Sequence, residues 1–359
     1  LVFAEIFANF RGRIEMRKTY SFDDVLLVPQ YSDIKSRSEV DLACKLDNNI
    51  TLELPIISSP MDTVTETKMA AAMADLGGLG IIHRYNTIEE QCLLAKAAGK
   101  AGGVIGAAIG TNEDFESRAT ALWDSGVRVL CLDVAHGHHV MVKNTLEALK
   151  SIFGEDMHLM AGNVATLKAF DDLASWGADS IRVGVGGGSI CSTRLVTGHG
   201  IPTLQSIMDV SYTEHNAKII ADGGFKKTGD IVKALAAGAD FVMLGSMLAG
   251  TDETPGEIFY TKNRPEWLHE GYKIYRGMAS EDAQYDWRGR SSTPEGVSTT
   301  IPCKGPLSGV MKNIAGGIRS GLSYTGARDI IDLQNHAEFV TQTQAGQGES
   351  STHIMRRHK

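Results

Sequence analysis

The chain has few cysteines and no CxxC pair: Cys44, Cys92, Cys131, Cys191 and Cys303 lie far apart along its 359 residues and are odd in number. That spacing excludes the usual zinc and dithiol motifs and a complete disulfide set, and it suits a reducing, cytoplasmic setting. No apolar run is long enough to span a bilayer, so no membrane partner is expected. The apolar start at 1–10 is short, contains Glu5 and runs into Arg11 and Arg13, so it matches neither a signal peptide nor a span. Residues 1–19 are read as an extension, with Met16 as the expected native start. A basic face is also missing. The net charge is −8, from 35 basic and 43 acidic residues, and Arg356, Arg357, His358 and Lys359 read as a solvated tail at 354–359, which argues against a nucleic-acid partner. No GxGxxG follows the first strand, so a nicotinamide dinucleotide would bind by a non-Rossmann mode.

What is present is alternation. Short apolar runs at 55–60, 79–83, 103–109, 127–134, 158–164, 180–186, 218–224 and 241–246 are separated by amphipathic stretches such as 65–76, 88–98, 114–125, 167–176 and 229–237. Continuous apolar strands alternating with helices imply a covered parallel sheet, and eight such units close most simply into a (β/α)8 TIM barrel. An open doubly wound sheet is the alternative. The barrel is expected as a single catalytic domain over 20–353, with 306–337 packing on its base and 341–359 as an exposed tail.

Polar residues and glycines recur at the ends of these runs: Ser59, Met61 and Asp62; His83 and Arg84; Asp133 and His136; Asn163; Asp222 to Gly224; Gly245 and Ser246. A barrel keeps its active site at the C-terminal ends of its strands, and the loops after strands seven and eight commonly hold phosphate, so ADGG followed by LGS points to a phosphorylated substrate. Any one such position reads as ordinary strand termination; the set reads as a site. The turn GVGGGSICSTR at 184–194 puts Cys191 among unshielded backbone N–H groups. That placement fits a nucleophile facing a bound anion, or a small buried hydrophobe. The insertion after the eighth strand, 251–305, reads as an active-site flap and mobile lid.

The ordered blocks SFDDVLLVP, SSPMDTVTE, LDVAHGH, AGNVAT, GGGSICSTR, IIADGG, VMLGS and YRGM resemble the IMP dehydrogenase and GMP reductase family over nearly the whole chain. The resemblance implies a (β/α)8 barrel, usually a homotetramer, acting at purine C2 of GMP or IMP with a nicotinamide dinucleotide. It makes Cys191 the covalent nucleophile and Thr193 with Glu295 the proton-handling pair. It assigns Asp222, Gly224, Gly245, Ser246 and Tyr275 to ribose and phosphate, and Ser59, Met61, Asn163 and Met278 to the base. Ser189, Gly223 and Gly277 join the nucleotide-binding set. Asp133, with His136, is placed near the cofactor. The carbonyls of Gly186, Gly188 and Cys191 match a potassium loop that a neighbouring subunit's C-terminal segment, here 349–351, would complete; GGGS replaces the usual GPGS or GSGS.

Two opposite reactions share this frame. Dehydrogenases usually insert two CBS modules between the second and third strands, and this chain passes there through one helix without CBS domains. They also use an ArgTyr pair on the flap to activate water, where this flap reads TyrAspTrpArgGlyArg. Both departures favour a GMP reductase, which needs no such water and uses NADPH. VMLGSMLAGTDETPGE and IPCKGPLSGV look more like an IMP dehydrogenase using NAD. A non-catalytic nucleotide-binding sensor is the reading from another class, and the intact Cys191, Thr193 and Glu295 set argues against it.

Overall fold

The computed structural model describes residues 16–260 and 270–350. Most of the expected N-terminal extension, the basic tail, Ser351 and part of the flap lie outside them. Eight parallel strands close into a barrel: β1 (Ile56–Ser58), β2 (Leu79–Ile82), β3 (Ile105–Ile109), β4 (Val129–Asp133), β5 (His158–Val164), β6 (Ser180–Val183), β7 (Lys218–Asp222) and β8 (Phe241–Leu244). Closure runs through Val242 opposite Ile56 and Leu244 opposite Ser58.

The outer ring is α1 (Thr67–Asp75), α2 (Ile88–Gly99), α3 (Phe115–Asp124), α4 (Val140–Phe153), α5 (Leu167–Ser175), α6 (Thr203–Val210), α7 (Thr228–Ala236) and α8 (Leu307–Thr325). Local chemistry starts these helices. Thr87 accepts from the Glu90 amide while Glu90 reaches back to the Thr87 amide, and Thr166 accepts from Ala169. The expectation that 306–337 packs on the barrel base is corrected: α8 lies beside α7 as the eighth member of the ring, because the flap is spliced between β8 and its own helix.

Side chains alternate across each strand, so one set faces the helices and the other fills the barrel. Ile57, Leu79, Ile81, Ala108, Val129, Cys131, Met160, Ile220, Phe241 and Met243 form the inner core. A hairpin pairing Cys44–Lys45 with Thr51–Leu52 closes this core from the N-terminal end with Leu46, Ile50 and Leu52. Beneath it His158, with a fully buried side chain, hydrogen-bonds Asp47 Oδ2 at 2.8 Å through Nδ1 and meets Ser180 Oγ at 2.8 Å through Nε2. The other Asp47 oxygen accepts the amides of Asn49 and Ile50, each at 2.7 Å.

The described part of the expected exposed tail, 341–350, is mostly exposed and folds against the N-terminal segment. Phe339–Thr341 pairs antiparallel with Val25–Leu27, and Gln342 donates to the Asp23 and Asp24 carbonyls, which anchors the helix Gln344–Glu349 nearby.

Candidate active site

The C-terminal ends of the strands open into one cavity of about 550 Å³. Ser59, Met61, Asp133, Asn163, Gly186, Gly188, Ser189, Cys191, Thr193, Asp222, Gly223, Gly224, Gly245, Ser246, Tyr275, Gly277, Met278 and Glu295 all line it. His136 stands exposed on the loop after β4, next to the lining residue Ala135, and is not itself among the lining residues. The fold gathers the rest because each strand delivers its last residues to the same rim.

On one wall the Cys191 thiol lies 3.2 Å from Thr193 Oγ1, one turn of loop before the short helix Thr193–Thr197. The flap meets this turn through the backbone. The Ser192 amide donates to the Glu295 carbonyl at 2.9 Å, the Val297 amide donates to the Ile190 carbonyl at 3.0 Å, and Cys191 bridges Gly296. Two segments about a hundred residues apart are thereby zipped together, which sets Glu295 beside the cysteine turn.

The opposite wall is shaped for close approach. Gly223 and Gly224 have φ of 89° and 91°, a consecutive pair in the left-handed region that side chains resist, so their amides can turn toward a ligand. A Cβ on Gly245 would lie 3.1 Å from the Tyr275 hydroxyl and 3.2 Å from Met61 Sδ. Tyr275 is 5% exposed, and its hydroxyl stands 3.3 Å from Ser189 Oγ. Burial pushes the phenol up from its ordinary range, against the opposing pull of the Ser189 hydrogen bond, so it stays protonated and able to donate.

Ionic chemistry collects on the floor. Asp133 would be pushed up by its burial, yet the guanidinium of Arg182, with Arg84 behind it, holds its carboxyl below the usual range. Asp222 Oδ2 accepts from Arg182 and, at 2.8 Å, from Asn163. Arg84, Tyr85, Gln284 and Arg288 extend the lining toward the flap. Of these only Arg84 is named by position in the sequence, and Arg182 is named by neither motif nor strand end. Its signal is parity: in β6 it follows Ser180 by two residues and so points inward.

The described part of the flap is a folded cover. Phe259–Tyr260, Gly271–Arg276 and Ser298–Pro302 form a three-stranded antiparallel sheet, with the helix Glu281–Arg288 between its second and third strands. Arg276 clamps Asp62 through Nε at 3.0 Å and Nη2 at 2.6 Å, and the Asp62 amide donates to Met278 Sδ at 3.3 Å. Trp287 stacks on Tyr85 with centroids 5.7 Å apart. Among the described residues no helix is long and apolar enough to cross a membrane, and no group of three or more His, Cys, Asp or Glu could hold a metal ion.

The family model for the IMP dehydrogenase / GMP reductase domain matches residues 19–353. The chain is similar to the inosine-5'-monophosphate dehydrogenase of Nitrosopumilus maritimus (strain SCM1), 34% identical with 95% of this chain and 99% of that protein covered. It is similar to the GMP reductase of Leishmania major, 33% identical over 93% of this chain and 96% of that one. The crystal structure of a GMP reductase variant from Trypanosoma brucei in complex with guanosine 5'-monophosphate superposes with a TM-score of 0.88 at 30% identity, covering 95% of this chain and 98% of that one.

Proposed function

The chain belongs to the IMP dehydrogenase / GMP reductase family of purine nucleotide oxidoreductases, and from that premise we propose that it is a GMP reductase, converting GMP and NADPH to IMP, ammonia and NADP. The observation that carries the direction is the flap. Its helix Glu281–Arg288 turns Gln284 and Arg288 to the cavity, and no Arg is followed by Tyr among the described flap residues. An ArgTyr step does line the cavity at Arg84 and Tyr85, but Arg84 faces Asp133 at 3.5 Å and the Tyr85 ring is stacked on Trp287. Burial also raises the Tyr85 phenol, which keeps it protonated and so withholds the phenolate that a base would need. A reaction that consumes no water needs none of these groups as a base.

In this reading the Cys191 sulfur attacks purine C2 of GMP, with Met61, Met278 and Asn163 around the base and the Gly223 to Ser246 wall around the phosphate. Thr193 and Glu295 carry a proton to the amine as the C2–N bond breaks and ammonia leaves. A bound dinucleotide would supply hydride for the new C2–H bond, and breaking the S–C2 bond returns the thiolate and releases IMP. Asp133 and the Arg84 to Arg288 side of the cavity would hold the dinucleotide. These residues line the same cavity as the thiol, so they fit a group that must reach C2. The oxygen donors of Gly186, Gly188 and Cys191 suit a hard monovalent cation, and potassium there would stiffen the cysteine turn. The functional unit is proposed as a cytoplasmic homotetramer.

VMLGSMLAGTDETPGE supports the reverse reading, in which IMP and NAD give XMP. Incubating the protein separately with GMP plus NADPH and with IMP plus NAD, while following reduced-cofactor absorbance, decides between them. Consumption in the first establishes the reductase. Production in the second overturns it in favour of the dehydrogenase, and silence in both favours a sensor.

A further inference from the structure

One side chain on the cavity floor touches both carboxylates that the proposed reaction assigns to sugars. Arg182, 7% exposed, reaches Asp133 Oδ1 through Nη1 at 2.7 Å and Asp222 Oδ2 through Nε at 3.1 Å and Nη2 at 2.9 Å. These residues sit on three strands, β4, β6 and β7, and β5 runs between the first two. Arg182 crosses β5 because its register partner there is Gly162, which also faces Asp133 on the other side. A Cβ on Gly162 would come within 2.6 Å of the Arg182 Cβ. The gap left by one glycine is therefore spanned by one guanidinium.

We propose that Arg182 is a positioning residue that fixes the two diol-accepting carboxylates relative to each other, one for the purine nucleotide ribose and one for the nicotinamide ribose. This rests on the reading given under Proposed function. Arg182 and Asn163 saturate Asp222 Oδ2 with three donors, which leaves Oδ1 as the acceptor for vicinal hydroxyls. Asp133 is held by one short bond on Oδ1, while Oδ2 has only the 3.5 Å approach of Arg84. A planar fork can hold both carboxylates at once, whereas an ammonium is a point charge that can satisfy one geometry at a time. The consequence is that the spacing between nucleotide C2 and the hydride donor is set by a residue that touches neither.

The test is discrimination for the sugar rather than activity. Calorimetry measures the affinity ratio of GMP to its 2',3'-dideoxy analogue in the wild type, in Arg182→Lys and in Asp133→Asn. In Arg182→Lys the ratio should fall by about tenfold or more, with dideoxy-nucleotide affinity changed by less than about threefold, and the KM for the dinucleotide should rise by about tenfold. Asp133→Asn, which strips the charge from the far end of the bridge, leaves an oxygen that can accept from Arg182 and keeps the arginine, should lower the nucleotide ratio by about threefold. It serves as the second route should the lysine variant fail to fold. A structural role alone would lower Tm and weaken both nucleotides equally, and an unchanged ratio in the folded variants overturns the proposal. Failure of the wild type to bind either GMP or IMP would instead overturn the functional reading on which it rests.

Discussion

The two ends of the barrel are built from the same device and finished differently. At the N-terminal end inward-facing His158 and Ser180 meet Asp47, every polar atom of the trio has a partner, and an apolar hairpin covers them. At the C-terminal end inward-facing Asp133, Arg182 and Asp222 also form a bridge, but Asp222 keeps an oxygen without a partner among the described residues and the cavity lies above. A saturated polar cluster closes a barrel; a bridge left short of acceptors or donors is ready for a ligand. The comparison teaches that burial of charge in this fold distinguishes a plug from a site only through what remains unsatisfied.

The comparison breaks if substitutions at the mouth cost stability and those at the base cost function. The largest separation is expected from Cys191→Ala: turnover should fall by about 10⁴-fold or more while GMP affinity stays within about threefold. Rates, calorimetry and intact mass for a nucleotide adduct check this, and substantial turnover without the thiol would end the covalent mechanism. Asp222→Ala should weaken nucleotide binding by about 2 to 5 kcal/mol, since ribose hydroxyls lose a buried acceptor and Arg182 loses a partner. Unchanged affinity by calorimetry would move the ribose elsewhere. Glu295→Gln keeps the shape and loses the proton, so the chemical step should slow by about a hundredfold with nucleotide affinity nearly constant; single-turnover kinetics resolve it. If the variant with IMP and NAD instead gives a stoichiometric burst of NADH and a trapped adduct, the direction is reversed and the nucleophile stands.

At the base the signs exchange. Asp47→Ala should lower stability by about 1 to 3 kcal/mol through the orphaned His158 and turn amides, with kcat/KM unaltered in the folded fraction. Urea unfolding beside steady-state rates tests both halves. The smallest effect is its pH dependence. Burial alone would raise the Asp47 carboxyl, yet the His158 hydrogen bond and the Asn49 and Ile50 amides bring it below its ordinary value. The unfolded group therefore takes up protons first, at about pH 4, so the wild-type advantage over Asp47→Ala is full above that pH and shrinks as pH falls further. A constant gap between pH 6 and 3.5 would remove the carboxylate from the account.

Much of this architecture is legible in the residues. The eight barrel strands lie within the eight apolar runs, because each is buried on both faces and needs no alternation. Helix α4 (Val140–Phe153) and helix α6 (Thr203–Val210) are not among the stretches named by periodicity, and both follow glycine- and histidine-rich loops that blur where a helix begins. Glu295 could be joined to Cys191 only through family resemblance, since what unites them is backbone pairing between distant segments, which leaves no mark in composition or spacing. His136 is legible only as a histidine near an acid; the loop after β4 leaves it exposed beside the lining residue Ala135. The inward direction of Arg182 becomes readable only when the strand around it is known to line a closed barrel.

The pairing of Val25–Leu27 with Phe339–Thr341 has a temporal consequence. Asp23 and Gln342, bonded beside it, are 319 positions apart. Entropy penalises so long a closure only logarithmically, but a ribosome delivers residues in order, so the earlier strand has no partner until residues 339–341 have been made. The barrel can close its own seam once β8 emerges; the girdle around its outside is tied last. A nascent chain halted before residue 339 would carry the 25–27 strand with its edge unpaired, and a permuted chain in which these two strands are neighbours in sequence would make their pairing an early event of folding.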